Sequence, residues 1–165
     1  MLGRASSGKS AWAERLVEGQ SARRCYVATS RILDGEIGAK VALHVARRGP
    51  GWRTVEAGSD AVAALHQSTP EEAVLFDCAT MWLTNLMMDG DDWTQVWPLL
   101  EDALRAPSGP VTVVSNELGG GIIPDNSLAR QFQRDQGMLN QNLAEAAERV
   151  VFVTAGLPSV LKGAL

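Results

Sequence analysis

A glycine-rich stretch near the start of the chain has the residue types that bind phosphate. It runs Gly3-Arg4-Ala5-Ser6-Ser7-Gly8-Lys9-Ser10 and fits the pattern G-x-x-x-x-G-K-S. The glycines let the backbone wrap around phosphate oxygens, so that successive N–H groups point inward as an anion-binding nest. Lys9 would add a positive charge at the outer phosphates, and the Ser10 hydroxyl would bind Mg²⁺. We call Gly3–Ser10 the phosphate loop.

Phosphate-binding loops of this kind connect a buried strand to a helix, so the residues on either side of the phosphate loop are informative. Ala11–Val17 predict a helix, so bound phosphates would also lie at a helix N-terminus. A chance glycine-rich turn is the alternative, but a complete motif that opens a helix disfavours it. Only Met1 and Leu2 precede Gly3, where a buried strand of about five residues is expected. We therefore expect this first strand to be truncated, or another segment to replace it.

Asp77 is the candidate acidic partner of the phosphate loop. It closes the apolar run Ala73-Val74-Leu75-Phe76, where an aspartate would bind Mg²⁺ directly or through water. The alternative is an N-cap for a helix that begins near Met81. The presence of the phosphate loop favours the metal role, so Ser10 and Asp77 are the predicted metal ligands.

His44 is the candidate nucleophile, and with Lys9 it completes the predicted catalytic pair. It lies in a predicted helix over 36–48, and Arg47-Arg48-Gly49-Pro50-Gly51 follows it. Two guanidinium groups and a flexible turn are suited to hold a phosphate or a nucleotide. A neutral imidazole beside a nucleotide α-phosphate could attack it and carry a phosphoryl or nucleotidyl group. The alternative is a histidine that is merely exposed or packed.

Short apolar runs alternate with helical patterns along the whole chain. Strands are predicted over 25–28, 52–55, 73–77, 111–115 and 150–153, the last strand of the chain. Helices are predicted over 60–66, 81–88, 93–105 and 127–149, besides the two already described. Apolar strands separated by helices indicate an α/β fold, with a mainly parallel sheet and helices on both faces. No repeat or linker interrupts the pattern, so we expect a single domain over 1–165.

Polar residues follow several of the predicted strands. Ligands of parallel sheets bind beyond the carboxyl ends of the strands. Those ends carry Thr29-Ser30, Asp77 and Ser115-Asn116-Glu117. Glu56, which follows the strand over 52–55, could bind a guanine edge or a ribose, or could be solvated. These residues are the candidates for binding the rest of a nucleotide.

The composition excludes some functions. The net charge is −4 and no long basic run is present, which argues against a large nucleic-acid surface. No apolar run is long enough to span a membrane, and no signal peptide is visible. Cys25 and Cys78 are too few for a disulfide scaffold, so we expect reduced thiols and a cytoplasmic protein.

Taken together, the motifs resemble one enzyme family over essentially the whole chain. After the phosphate loop, the matching segments are 26–30, His44, 52–56, 77–86, 114–126, 128–130 and 139–141. Of these, Trp52-Arg53-Thr54-Val55-Glu56 and Ser115-Asn116-Glu117 with Gly121-Ile122-Ile123-Pro124-Asp125-Asn126 are the most specific. The chain resembles the bifunctional adenosylcobinamide kinase/adenosylcobinamide-phosphate guanylyltransferase family of cobalamin biosynthesis.

The resemblance implies two reactions. Such an enzyme phosphorylates adenosylcobinamide with a nucleoside triphosphate, then transfers GMP from GTP through a histidine to the cobinamide phosphate. It implies a RecA-like phosphate-loop fold, a homotrimer, and ATP, GTP and Mg²⁺ as cofactors. His44 matches the histidine that carries GMP. The nucleotide-binding positions would be the phosphate loop, Thr29, Ser30, Arg31, Arg48, Gly49, Pro50, Gly51, Glu56 and Asp77.

Two further readings remain open. A simple phosphate-loop kinase would transfer the γ-phosphate but form no covalent GMP adduct. A non-catalytic nucleotide-binding subunit would bind nucleotide without transferring either group. A DNA-stimulated RecA-like ATPase is disfavoured by the acidic net charge of −4.

Overall fold

A computed structural model of the chain describes residues 1–31, 48–107 and 109–164. The strands are β1 (Leu2–Gly3), β2 (Arg23–Ala28), β3 (Trp52–Glu56), β4 (Glu72–Asp77), β5 (Val111–Asn116), β6 (Val150–Thr154) and β7 (Leu157–Lys162). They form one sheet in the order β3-β2-β4-β5-β1-β6-β7. All neighbouring pairs are parallel except β6 and β7, which are antiparallel. The predicted α/β fold with a mainly parallel sheet is confirmed.

The structure describes five helices, whose N-termini are capped by a side chain in some cases and not in others. They are α1 (Lys9–Gln20), α2 (Ala61–Leu65), α3 (Ala79–Asp89), α4 (Trp93–Arg105) and α5 (Ser127–Ala146). The Asp60 carboxylate accepts a hydrogen bond from Ala63 N at 3.1 Å, and the Asn126 side chain accepts one from Ala129 N at 2.7 Å. Such caps satisfy amide groups that the first turn leaves open. Within the described ranges, no helix combines the length and the apolar character needed to cross a bilayer.

The alternation of side chains along β4 explains why helices cover both faces of the sheet. Val74 and Phe76 pack into one apolar cluster with side chains of α2, α3, α4 and α5, among them the fully buried Trp82. Ala73 and Leu75 belong to a second cluster, which includes side chains of α1. Successive residues of a strand point to opposite faces, so a continuous apolar run supplies both cores.

The strand before the phosphate loop is short but central. Leu2 and Gly3 pair with Ser115 and Asn116 of β5 on one side and with Phe152–Val153 of β6 on the other. The first strand, which the sequence analysis expects to be truncated or replaced, is present as Leu2–Gly3, and these two residues place the phosphate loop at the carboxyl end of the sheet. A cavity of about 540 Å³ lies at the opposite end, between the first residues of β5 and β6.

Two predictions for the end of the chain were wrong. Helix α5 ends at Ala146, three residues before the predicted end at Arg149. The strand over 150–153 is not the last, because a two-residue turn at Ala155-Gly156 leads into β7. Both turn residues have positive φ, 51° and 77°, as tight hairpins require. The apolar residues of β7 are Leu157, Val160 and Leu161, which are exposed and form neither a continuous nor an alternating apolar run of the kind that indicates a buried strand.

Candidate active site

Most of the predicted site residues lie where the parallel strands end. We call this side of the sheet, formed by the carboxyl ends of the strands, the carboxyl edge. The phosphate loop begins at the end of β1, Thr29-Ser30-Arg31 follows β2, Glu56 ends β3 and Asp77 ends β4. Only β5 lies between β1 and β4, which puts these two strands about 10 Å apart at the usual strand spacing. Strand β3 is four strands away from β1, at about 19 Å.

The backbone of the phosphate loop has the conformation that an anion-binding nest needs. Ser6 has φ of 56° and Gly8 has φ of 89°, both in the left-handed region. Ser7 N donates to Arg4 O at 3.2 Å, which closes a turn within the loop. Gly8 immediately precedes α1 and offers no side chain to cap it. The first amide groups of α1 consequently face the loop, where they can donate to phosphate oxygens.

The loop is packed too closely for larger residues at its glycines. A Cβ atom on Gly3 would lie 2.5 Å from Ser7 Oγ and 2.8 Å from Val153 O. A Cβ atom on Gly8 would lie 3.1 Å from the Cα of Gly156, whose amide donates to Ser7 O at 2.8 Å. The turn between β6 and β7, which the sequence analysis did not predict, thus packs against the phosphate loop and hydrogen-bonds to it.

Arg4 and Lys9 lie at the exposed side of the phosphate loop. Arg4 Nε donates to Glu117 Oε2 at 3.1 Å, and a Cβ atom on Gly120 would collide with its guanidinium group. Arg4 thereby ties the phosphate loop to the glycine-rich loop that follows β5. Lys9 Nζ contacts Arg4 O at 3.4 Å, a weak hydrogen bond that a phosphate oxygen can replace.

Asp77 does not act as the helix cap that was its alternative role. Helix α3 begins at Ala79 and its N-cap position is Cys78. The Oδ2 atom of Asp77 instead accepts a hydrogen bond from the Tyr26 hydroxyl at 3.1 Å. Burial and then the charge of Asp77 raise the pKa of the Cys78 thiol to about 12, and the charge of Lys9 opposes this shift. The charges of Asp77 and Lys9 thus act on the Cys78 thiol in opposite directions.

Two of the three residues after β2 are already engaged by protein groups. The Thr29 hydroxyl is buried, donates to Cys78 O at 2.8 Å and accepts from Cys78 N at 2.7 Å. Arg31 Nη1 donates to Asp89 Oδ1 of α3 at 2.8 Å. Thr29 therefore ties the ends of β2 and β4 together. The nucleotide-binding roles of Thr29, Ser30 and Arg31 stay predictions.

The side chain of Arg48 extends away from the turn that follows it in the chain. The Cζ atom of Arg48 lies 3.6 Å from the centroid of the Tyr26 ring, on the same side of the sheet as α1. The turn Gly49-Pro50-Gly51 lies at the amino ends of the strands, opposite the carboxyl edge. Arg24 at the start of β2 donates there to Pro50 O and to Gly51 O, each at 2.9 Å. The structure does not bring these three residues together with the phosphate loop. Their contacts are those of a turn that leads into β3.

His44 and most of the predicted helix over 36–48 lie outside the described residues, so the catalytic role of His44 stays a prediction. The described part of the chain contains no group of three or more His, Cys, Asp or Glu that could hold a metal ion. Magnesium needs no such group, because it is usually bound by one or two carboxylates together with substrate phosphates. The hydroxyl of Ser10 and the carboxylate of Asp77 are oxygen donors of the kind that Mg²⁺ prefers.

A polar network that the sequence did not predict holds the end of β5. Asn140 Nδ2 donates to Asn116 O at 2.9 Å, and Asn116 N donates to Thr80 Oγ1 at 2.8 Å. Behind them, Ser115 Oγ donates to Asn140 Oδ1 at 2.7 Å, and Gln136 Nε2 donates to Ser115 Oγ at 3.0 Å. Gln136 and Asn140 are four residues apart on α5, which is the one signal that could have paired them. The network joins β5, α3 and α5 beside the site.

Comparison with known proteins agrees with this architecture. The family described as cobinamide kinase / cobinamide phosphate guanyltransferase matches residues 1–161. The bifunctional adenosylcobalamin biosynthesis protein CobP of Pseudomonas aeruginosa is 43% identical, over 99% of this chain and 96% of its own length. The corresponding CobU proteins of Escherichia coli and Salmonella typhimurium are 37% and 35% identical, each over 98% of both chains. The resemblance found in the sequence is confirmed, and the chain belongs to the cobinamide kinase / cobinamide phosphate guanyltransferase family of transferases.

Proposed function

We propose that this chain catalyses both reactions for which its family is named, at the carboxyl edge of the sheet. The first transfers the γ-phosphoryl group of ATP or GTP to the aminopropanol hydroxyl of adenosylcobinamide. The second transfers GMP from GTP to the resulting phosphate and yields adenosylcobinamide-GDP. The observation that supports both is the left-handed Gly8 that opens α1 at the same edge as Asp77, because it offers a phosphate nest beside a carboxylate.

In the kinase step the chain mainly supplies positive charge and orientation. The substrate hydroxyl oxygen attacks the γ-phosphorus, its proton is released to solvent, the bond to the β-phosphate oxygen breaks, and the nucleoside diphosphate leaves. Lys9 and the loop amides stabilise the charge that moves between these oxygens. Ser10 and Asp77 would hold Mg²⁺, which when bound neutralises charge on the phosphate oxygens. In this step we expect the protein to form no covalent bond with the substrate.

In the guanylyl transfer step we assign the nucleophile to His44. A neutral imidazole nitrogen attacks the α-phosphorus of GTP, the bond to the β-phosphate oxygen breaks, and pyrophosphate leaves. A phosphate oxygen of the cobinamide phosphate then attacks the same phosphorus and releases His44. Two displacements through a covalent intermediate give ping-pong kinetics. Arg48 supports this assignment, because it follows His44 by four residues and its side chain lies on the α1 side of the sheet.

We further propose one nucleotide-binding domain over 1–165 that assembles as a homotrimer in the cytoplasm. The single sheet that contains all described strands supports the one domain. The free thiols of Cys25 and Cys78 fit a reducing compartment. Ile122 and Leu157 are 95% and 71% exposed, and removing such large apolar side chains from water would favour assembly. Light scattering during gel filtration measures the assembly directly.

The test is to incubate the chain with GTP labelled at the α-phosphate and to separate the protein under denaturing conditions. We expect an acid-labile label on the wild type and on His66→Ala, but none on His44→Ala. His66 is the matched control because it is the other histidine of the chain and is exposed at the end of α2. A label that survives in His44→Ala would move the nucleophile to another residue.

The same preparations separate the two remaining alternatives. Label transferred from γ-labelled nucleotide to adenosylcobinamide, without any protein adduct from α-labelled GTP, would indicate a simple kinase. Nucleotide binding without either transfer would indicate a non-catalytic subunit. Both transfers together, with loss of only the second in His44→Ala, are the result that we expect.

A further inference from the structure

Tyr26 lies between two predicted site residues that are distant in the sequence. It is the one tyrosine of the chain, stands in β2, and is only 7% exposed. Its hydroxyl donates to Asp77 Oδ2 at 3.1 Å. The guanidinium group of Arg48 lies over its ring, with Cζ at 3.6 Å from the centroid. One buried side chain therefore contacts the predicted metal ligand and a predicted phosphate-binding cation.

The contact between Tyr26 and Asp77 follows from the pairing of β2 with β4. Tyr26 stands opposite Leu75, and Ala28 stands opposite Asp77. Tyr26 and Asp77 are thus two positions apart along the paired strands and point to the same face. Carboxylates that bind a metal are commonly held by a further hydrogen bond, which orients them and tunes the site. The Tyr26 hydroxyl makes such a bond.

The surroundings of Tyr26 hold its ring in place. The ring of Trp52 meets it edge-on, with centroids 6.2 Å apart and an angle of 75° between the planes. The ring is thereby held in place, with one face available to Arg48.

We propose that Tyr26 is a positioning residue for the nucleotide, which orients the Asp77 carboxylate for Mg²⁺ and the Arg48 guanidinium for the phosphates. The proposal rests on the proposed function, because it takes Asp77 as a metal ligand and Arg48 as a phosphate-binding group. Tyr26 does not touch the reacting atoms. Its two contacts use different parts of the side chain, the hydroxyl and the ring face, so two substitutions separate them.

The test measures the dissociation constant of GTP by equilibrium dialysis, once with Mg²⁺ and once with EDTA. Tyr26→Phe keeps the ring under Arg48 and removes only the hydroxyl. It should weaken binding by about tenfold with Mg²⁺ and leave binding in EDTA unchanged. Tyr26→Leu also removes the aromatic face and should weaken binding under both conditions. Ser68→Ala is the control, because its hydroxyl bond to Leu65 O, 2.7 Å long, lies at the end of α2, before β4 begins.

Each outcome decides the proposal separately from the proposed function. Equal affinities of Tyr26→Phe and wild type with Mg²⁺ would overturn it, as would an equal loss with and without the metal. The second result would mean that Tyr26 only supports the fold. If Mg²⁺ does not tighten GTP binding to the wild type, the metal role of Asp77 is wrong and this inference falls with it. A wild type that binds GTP more tightly with Mg²⁺ but transfers no GMP would contradict only the proposed function.

Discussion

Arg53 of β3 extends across β2 and forms a bidentate ion pair with Glu72 of β4. Arg53 Nε lies 3.0 Å from Glu72 Oε1, and Arg53 Nη2 lies 2.8 Å from Glu72 Oε2. The amide of Thr69 adds a third hydrogen bond to Oε2 at 2.9 Å. The Glu72 side chain is only 8% exposed, whereas that of Arg53 is 42% exposed. The pair therefore joins three neighbouring strands at the end opposite the candidate site.

We expect Glu72→Gln to lower the free energy of unfolding by about 1–3 kcal/mol at neutral pH, because charge-assisted hydrogen bonds of a buried group are lost. Urea unfolding followed by tryptophan fluorescence measures this loss. The matched control is Glu101→Gln, which breaks the exposed pair with Arg105 on α4. That surface pair should contribute less than about 0.5 kcal/mol. Similar losses in the two variants would contradict the importance given to burial.

The same pair predicts how stability depends on acid. The hydrogen bonds from Arg53, the largest cause, lower the pKa of Glu72 below its ordinary value of 4.5. The unfolded chain then binds this proton more readily, so the contribution of Glu72 is present above pH 4.5 and disappears as the pH falls through the lower pKa of the folded state. The stability difference between wild type and Glu72→Gln should therefore shrink in acid. A difference that stays constant as the pH is lowered would exclude this linkage.

Gly3→Ala should disrupt the phosphate loop, because the new Cβ atom would meet Ser7 Oγ and the carbonyl of Val153. We expect a loss of stability of about 1–3 kcal/mol from overpacking, together with weaker GTP binding. Gly19→Ala is the control, since nothing lies within 4 Å of a Cβ atom there and Gly19 is in α1. That change should stabilise the chain by about 0.5–1 kcal/mol. Unaltered GTP binding by Gly3→Ala would show that the loop tolerates the shift.

Lys9→Met should lower kcat/KM for phosphoryl transfer by about 100-fold or more, because one of the groups that stabilise the transferring charge is removed. Its thermal unfolding midpoint should change little, since the hydrogen bond that Lys9 Nζ makes among the described residues is the weak contact to Arg4 O. Lys162→Met, in contrast, should lower the thermal unfolding midpoint and leave kcat/KM for phosphoryl transfer nearly unchanged. Its ammonium group donates to Ala144 O and Glu145 O at the end of α5, far along the chain from the site. A kinetic effect of equal size in both variants would argue against a specific role of Lys9.

The rate at which labelled GMP attaches to the protein should fall as the pH is lowered through about 6.5, the range in which an unperturbed imidazole becomes protonated and loses its nucleophilic lone pair. This window lies above the one in which Glu72 loses its contribution to stability. Rapid-quench measurements on folded protein at each pH separate the two effects. A rate that is level from pH 5 to 8 would contradict His44 as the attacking group.

Much of the fold and part of the site could be predicted because the signals are local. The phosphate loop is a run of eight residues whose spacing alone specifies a nest, and Asp77 ends an apolar run of neighbouring residues. The strands from β2 to β6 were predicted from such runs in the same way. Strand β7 was not, because its exposed side chains carry no apolar pattern and its partner is β6 rather than the core.

The order of strands in the sheet determines which of the predicted residues lie close together, and local sequence patterns do not show this. Gly49-Pro50-Gly51 looked suited to a nucleotide, yet the start of β3 carries it to the edge opposite the phosphate loop. Tyr26 gave no functional signal in the sequence, yet β2 and β4 are neighbours and their register places it against Asp77. Local residue patterns were sufficient to identify the family, the phosphate loop and the candidate chemical groups. Which groups meet was decided by the tertiary structure, because contacts between strands depend on sheet order and register, and neither is encoded in the spacing of residues along one segment.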